Sequence, residues 1–140
     1  MTIERSQIIF RPPSAVFQFC AVDHVKNHPR WDPDMELAQV TPGPIGVGSV
    51  VKRRHTRFGT VVEGTMTFTS FEPDREVATI IRDGPMEMRS RMAFAPMFDG
   101  RGTIVTIEVE IPGMEDKLNP RLIERSLNNM KQLIEAENPE

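Results

Sequence analysis

A chain of 140 residues that is 39% hydrophobic and 26% charged has the makings of one soluble globular domain, large enough for a core with a cavity in it, and excludes a disordered or multi-domain protein. Its net charge of −3 excludes a general attraction to nucleic acid, and the single cysteine, Cys20, excludes an internal disulfide or a cysteine-rich metal site. Met1-Thr2-Ile3-Glu4-Arg5 has no signal-peptide core and no apolar run is long enough to span a bilayer, so the expectation is a cytoplasmic protein without stable membrane insertion.

Ile3 to Phe10 reads as a first strand. Arg11-Pro12-Pro13-Ser14 stops it and opens a short helix over Ser14 to Val22, with Val16, Phe17, Phe19 and Cys20 as its buried side. A second short helical turn covers His24 to Trp31 and ends at Asp32-Pro33. Glu36 to Val40 is a short strand, and Thr41-Pro42-Gly43-Pro44-Ile45-Gly46 is a loop of structure-breaking residues. Five longer strands follow, separated by compact turns: Val47–Arg57, Thr60–Phe71, Glu76–Arg82, Met86–Met97 and Thr103–Ile111. Phe58-Gly59, Pro73-Asp74-Arg75, Asp83-Gly84-Pro85 and Asp99-Gly100-Arg101-Gly102 make the turns.

The last element is a long helix, Asn119 to Glu137, with Asn119 as N-cap and Pro120 at the first helical position, where a missing N–H is harmless. At about 100° per residue, Leu127, Met130 and Ile134 fall within about 40° of Ile123. Leu122, Ser126 and Leu133 widen that face, while Arg121, Glu124, Lys131 and Glu135 lie outside it. Such a face must lie on something, and the strands supply it. Period-two alternation puts Val105, Ile107, Val109 and Ile111 on one side of their strand, and Met86, Met88, Ser90, Met92 and Phe94 on one side of theirs. Val62, Gly64, Met66 and Phe68 align likewise. The Val47–Arg57 strand can be read in two registers, because a one-residue slip exchanges its faces; we take Val51, Arg53 and His55 as inward. The cationic run Lys52-Arg53-Arg54-His55-Thr56-Arg57 is otherwise a solvated strand face. The fold class is therefore α+β: a curved antiparallel sheet of about seven strands around a long C-terminal helix, with two short helices after the first strand.

This element order, together with Asp23 and then Asn27-His28-Pro29-Arg30-Trp31, resembles the helix-grip superfamily of START domains, birch-pollen-type allergens and the bacterial polyketide cyclase/dehydrase group, the SRPBCC proteins. Ile9-Phe10-Arg11-Pro12-Pro13-Ser14-Ala15-Val16-Phe17 is similar to its strand-to-helix junction, Gly46-Val47-Gly48-Ser49 to the Gly-x-Gly that opens its third strand, and Phe71-Glu72-Pro73-Asp74-Arg75 to a later turn. The resemblance covers nearly the whole chain and implies a cavity between helix and sheet for hydrophobic or amphipathic molecules. It implies no particular reaction, because the fold serves binding proteins, cyclases and co-chaperones alike.

On that expectation the cavity lining is Trp31, Val51, Met66, Phe68, Met86, Met88, Ser90, Met92, Val105, Ile107, Ser126, Leu127 and Met130, with nine methionines in the chain to give an adaptable apolar wall. Trp31 either anchors the short helices against the sheet edge or forms an aromatic wall near the entrance. Arg53 and His55 are the candidate catalytic residues: inward, Arg53 meets a carboxylate or enolate and His55 moves a proton near neutral pH. Glu63, if inward, neutralises Arg53 instead. His24 and His28 have the spacing of a metal pair, but Pro29 disfavours a helix there and no Glu occupies the zinc-hydrolase position, so exposed histidines are expected, with no metal and no cofactor. A nucleophile elbow and a phosphate-cradling loop are both missing from the sequence.

Three functions remain. The first is a single domain over residues 1–140 that binds a hydrophobic or amphipathic small molecule, as a monomer or homodimer. The second is a cyclase or dehydratase acting on a polyketide-like or aromatic substrate. The third is a protein-interaction domain with a filled core, marked by an exposed apolar patch.

Overall fold

The computed structural model describes residues 2–56, 59–113 and 119–138. In chain order these form β1 (Thr2–Ile9), α1 (Pro13–Phe17), a π-helical turn (Gln18–Val22), α2 (His24–Trp31), β2 (Met35–Gln39), β3 (Val50–His55), β4 (Val62–Glu72), β5 (Glu76–Asp83), β6 (Met86–Met97), β7 (Gly102–Glu110) and α3 (Pro120–Glu137). The strands make one curved antiparallel sheet in the order β1-β7-β6-β5-β4-β3-β2. From β2 to β7 the chain is a meander. β1 then closes on β7, so the two chain-adjacent strands β1 and β2 occupy opposite edges and the short helices cross between them.

The alternating apolar residues do what their period requires. Phe94 stands opposite Val105 and Met92 opposite Ile107 across β6 and β7. On β3, Val51, Arg53 and His55 turn to the concave side and are buried, while Lys52 and Arg54 face solvent. Most expected strand boundaries move by one to three residues, and one strand changes phase. β3 begins at Val50 rather than Val47, because Ser49 N–H closes a turn on the Gly46 carbonyl (3.0 Å) and Gly48 takes a φ of +90°. β5 continues one residue further, to Asp83. In β4 a bulge between Phe68 and Ser70 reverses the alternation, so that Phe71 joins Phe68 on the inner side. Arg57 and Phe58, expected at the end of β3 and in the turn after it, lie outside the described residues.

Asn119 caps α3 through its side chain, which accepts from Arg121 N–H at 3.0 Å. Polar contacts then fix the helix on both sides. Toward β1, Gln7 Nε2 donates to Asn128 (2.8 Å), Lys131 Nζ to the Ile8 carbonyl (2.9 Å) and Phe10 N–H to Glu135 (2.9 Å). Toward α2, Asn129 Nδ2 donates to the Trp31 carbonyl (2.9 Å), and Arg30 pairs with Glu137. Ile123, Leu127, Met130 and Ile134 are buried beneath it.

One end of the interior is filled. Phe17 of α1 meets Phe71 and Phe94 edge-on, with centroids 5.1 and 5.4 Å apart, and Ile9, Val16, Cys20 and Val105 are wholly buried in the same core. Burial pushes the Cys20 thiol well above its ordinary value, so this cysteine is inert.

Candidate functional site

The other end is hollow. A cavity of about 160 Å³ lies between the concave sheet, α2 and α3. Successive rows of the sheet form its floor, and the ladder register gives their order. Val77 and Met92 pair nearest the filled end, Thr79 and Ser90 next, then Ile81 with Met88, and finally Asp83 with Met86. The floor thus runs from apolar, through a pair of hydroxyls and a second apolar row, to a charged row.

Of the residues expected to line this space, Trp31, Met66, Phe68, Met86, Met88, Ser90, Met92, Ile107, Ser126 and Met130 do so, as do Arg53 and His55. Three do not. Val51 and Val105 are wholly buried in the packed core. Leu127 fails for a helical reason. The stripe of α3 on the cavity is Leu122, Ser126 and Met130 beside Ile123, and Leu127 lies about 40° beyond Ile123 on the opposite flank. Trp31 is buried rather than held at an open mouth; it stacks on His28 with centroids 5.1 Å apart and touches Phe19 at 5.9 Å.

The charged row is built across three strands. Arg53 on β3, Gly64 on β4 and Asp83 on β5 are in register. Arg53 Nε lies 3.1 Å from Asp83 Oδ1, and His55 Nε2 lies 3.2 Å from Asp83 Oδ2. All three side chains are buried. Gly64 makes this reach possible: a Cβ there would come within 2.1 Å of Asp83 Oδ1 and 2.2 Å of the Arg82 carbonyl oxygen. Asp83 therefore holds the role expected of Glu63, which is exposed on the outer face beside Arg54. Asp83 belongs to β5 and not to the turn expected from Asp83-Gly84-Pro85. The signal that finds it is the alternation Val77, Thr79, Ile81, Asp83, continued one step further.

α2 spans His24–Trp31 as the sequence predicts, and Pro29 does not interrupt it: Asp32 N–H still bonds the His28 carbonyl at 2.9 Å. Its first histidine departs from expectation. His24 is buried, not exposed. The preceding π-helical turn leaves two carbonyls that α2 side chains satisfy: Asn27 Nδ2 donates to Phe19 (3.0 Å) and His24 Nδ1 to Cys20 (2.9 Å). His24 Nε2 then meets His28 Nδ1 at 2.9 Å, and His28 Nε2 lies 3.8 Å from Asp32 Oδ2. Burial, and then the neighbouring His28, lower the His24 pKa from 6.5 to about 3, so this imidazole is neutral in the folded protein. Arg125 of α3 ties Asp32 (3.2 Å) to Asp34 (3.0 Å) at the end of α2. Among the described residues, no group of three or more His, Cys, Asp or Glu side chains is arranged to hold a metal ion.

The arrangement can enclose an apolar body and meet its polar groups at the charged row and on the α2 wall. A filled interior, the mark of a pure interaction domain, is not what the fold contains.

A family model described as polyketide cyclase / dehydrase and lipid transport matches residues 1–135. Among solved structures, a START superfamily protein from Mycobacterium smegmatis is 11% identical with a TM-score of 0.80, covering 98% of this chain and 99% of that one. The Zhui aromatase/cyclase from Streptomyces sp. R1128 is 14% identical with a TM-score of 0.79, covering 99% and 96%. A protein from Thermus thermophilus is 16% identical with a TM-score of 0.77, covering 99% and 100%. At these identities the likeness is one of fold, the START-like helix grip. No curated protein sequence matches the chain. Among the described residues, no helix is long and apolar enough to cross a membrane.

Proposed function

The chain belongs to the polyketide cyclase/dehydrase and lipid transport family, and we propose that it acts as a single helix-grip domain, residues 1–140, that binds a hydrophobic or amphipathic small molecule between its sheet and α3. The observation that carries this reading is the hollow end itself: about 160 Å³ of space whose walls include Met35, Met66, Met86, Met88, Met92 and Met130. Unbranched thioether side chains adapt to ligands of irregular shape, and an empty apolar space of this size in a packed interior is otherwise unfavourable. A cavity of about 150 Å³ holds a molecule of benzene size without rearrangement, which sets the scale of the apolar body. In this reading the protein works in the cytoplasm, as a monomer or homodimer, with neither nucleic acid nor a membrane span involved.

A second reading, a cyclase or dehydratase acting on a polyketide-like or aromatic substrate, is favoured by one specific observation. Arg53 and His55 both stand on the cavity wall, with Asp83 against both. Arg53 then stabilises a developing enolate and His55 transfers the proton, oriented by Asp83.

Native mass spectrometry of freshly purified protein, with extraction and identification of bound molecules, tests the first reading. A co-purifying lipid, quinone or polyketide-like mass supports the cavity's role and supplies the substrate with which to assay the second. A protein that emerges without a bound molecule and takes up none of these classes on addition contradicts both.

A further inference from the structure

We propose that the hydroxyls of Thr79, Ser90 and Ser126 form a specificity site within the cavity, selecting a ligand that carries a neutral oxygen group, a ketone or an alcohol, between two apolar parts. The inference rests on the cavity being a ligand site, and it names the chemistry of what that site takes.

Several hydroxyls outside the cavity find protein partners. On β1 and β7, Ser6 and Thr106 stand directly opposite one another and bond at 2.9 Å. Ser49 accepts from Gly46 N–H (2.9 Å), and Thr103 donates to the Arg11 carbonyl (2.8 Å). Thr79 and Ser90 are also directly opposed, on β5 and β6, but their hydroxyls bond neither each other nor any other described residue. Ser126 lies inside α3, where a serine often bonds the carbonyl four residues back; it makes no such bond. All three residues line the cavity. Thr79 is only 8% exposed, so bulk water does not readily take the place of a partner. A buried hydroxyl left unmatched costs free energy, and a ligand oxygen in the cavity supplies what the protein does not.

The position of the hydroxyls defines the ligand. The Thr79–Ser90 row lies between two apolar rows, Val77–Met92 and Ile81–Met88. An oxygen held there is flanked by apolar surface on both sides. A hydroxyl donates and accepts but carries no charge, and none of these three rows holds a charged side chain. A carboxylate or ammonium buried at this level is therefore uncompensated, whereas a carbonyl or an alcohol is matched. The charged row is a separate position. Asp83 lies four residues beyond Thr79 on β5, about 13 Å along an extended chain, so a single-ring ligand held by the hydroxyls does not span both.

The test uses two probes of nearly equal shape: acetophenone, with a carbonyl between its ring and its methyl, and α-methylstyrene, in which a CH₂ replaces the oxygen. Binding to the intact protein is read by calorimetry. Thr79→Val exchanges the hydroxyl for a methyl at almost constant volume. The affinity for acetophenone relative to α-methylstyrene is expected to fall about three- to tenfold in this variant, with α-methylstyrene bound at least as well as before. Ser90→Ala is the second variant and should change the ratio in the same direction. Ligand-free Thr79→Val should melt no lower than the wild type, because the hydroxyl it loses has no protein partner to forfeit. A ratio unchanged in both variants overturns the assignment. So does an equal loss of both probes, which marks a change of cavity shape, or a lowered melting temperature, which marks a structural hydroxyl. If the wild type binds α-methylstyrene but not acetophenone, the cavity is a ligand site and the hydroxyl assignment fails. If it binds neither, the cavity reading fails for a ring of this size and the assignment falls with it.

Discussion

The two ends of the interior are built on the same sheet and covered by the same helix, yet one is solid and the other hollow. At the solid end, aromatic rings meet edge-on and branched aliphatic side chains fill what remains: Phe17, Phe71 and Phe94 with Ile9, Val16 and Val105. At the hollow end methionines and hydroxyls line the floor, and the charged row closes it. Aromatic and β-branched side chains have few conformers and interlock; a methionine wall is compliant and leaves room. Packing and open space are thus segregated along the strands: the Phe94–Val105 pair lies in the filled core, while the far rows, from Thr79–Ser90 to Asp83–Met86, line the cavity.

That division is open to mutation, and the largest effect is expected at the solid end. Phe17→Ala removes a buried ring from between two others and should destabilise the protein by about 3–5 kcal/mol, read by chemical denaturation. Asp83→Asn tests the charged row. It removes the Asp83 carboxylate charge from beside the buried Arg53 guanidinium and should cost about 3 kcal/mol, mitigated where water enters the cavity. If Asp83→Asn were neutral, Arg53 would be balanced by something other than Asp83.

A third effect is set by pH. His24 has a folded-state pKa of about 3 against 6.5 for the free side chain, so the unfolded chain binds the extra proton and stability falls as pH drops through that window. Between pH 6.5 and 4.5 the loss from this residue should be about 2–3 kcal/mol. His24→Asn, which keeps a donor for the Cys20 carbonyl, should flatten that part of the stability profile; an unchanged slope would show that His24 is not held neutral. The smallest effect belongs to the hollow end. Met88→Ala enlarges a space that already exists, and should cost under about 1.5 kcal/mol while altering ligand affinity. A loss as large as that of Phe17→Ala would erase the distinction between the two ends.

The solid end and the overall fold are the more legible in sequence. The Met86–Met97 strand has its expected limits because its alternation is unbroken, and α3 begins where Asn119-Pro120 says it should. The bulge at Phe68/Ser70 is not legible, because nothing in Thr69 or Ser70 announces a change of phase, and the same loss of phase conceals Phe71. Asp83 is hidden by its neighbours: Asp-Gly-Pro reads as a turn, and only the cross-strand gap at Gly64 shows that the carboxylate is a pocket group. The two histidines read outward because Pro29 suggests a broken helix; the π-helical turn before them, which supplies the carbonyl that draws His24 inward, depends on tertiary contacts and has no local signature. Val51, Val105 and Leu127 show the general limit. Periodicity tells which face a side chain occupies, but not whether the space it meets is filled.

Whether the hollow end is a ligand site can be read in one titration: NMR of protein carrying ¹³C-methyl methionine, with 4-nitrophenol added stepwise. Met35, Met66, Met86, Met88, Met92 and Met130 line the cavity, and Met97, at the far end of β6, does not. Saturable shifts of the six cavity methyls are expected, with Met97 unmoved. Shifts at Met97 alone, or no saturable shift at any of the six, would contradict a ligand-binding hollow end.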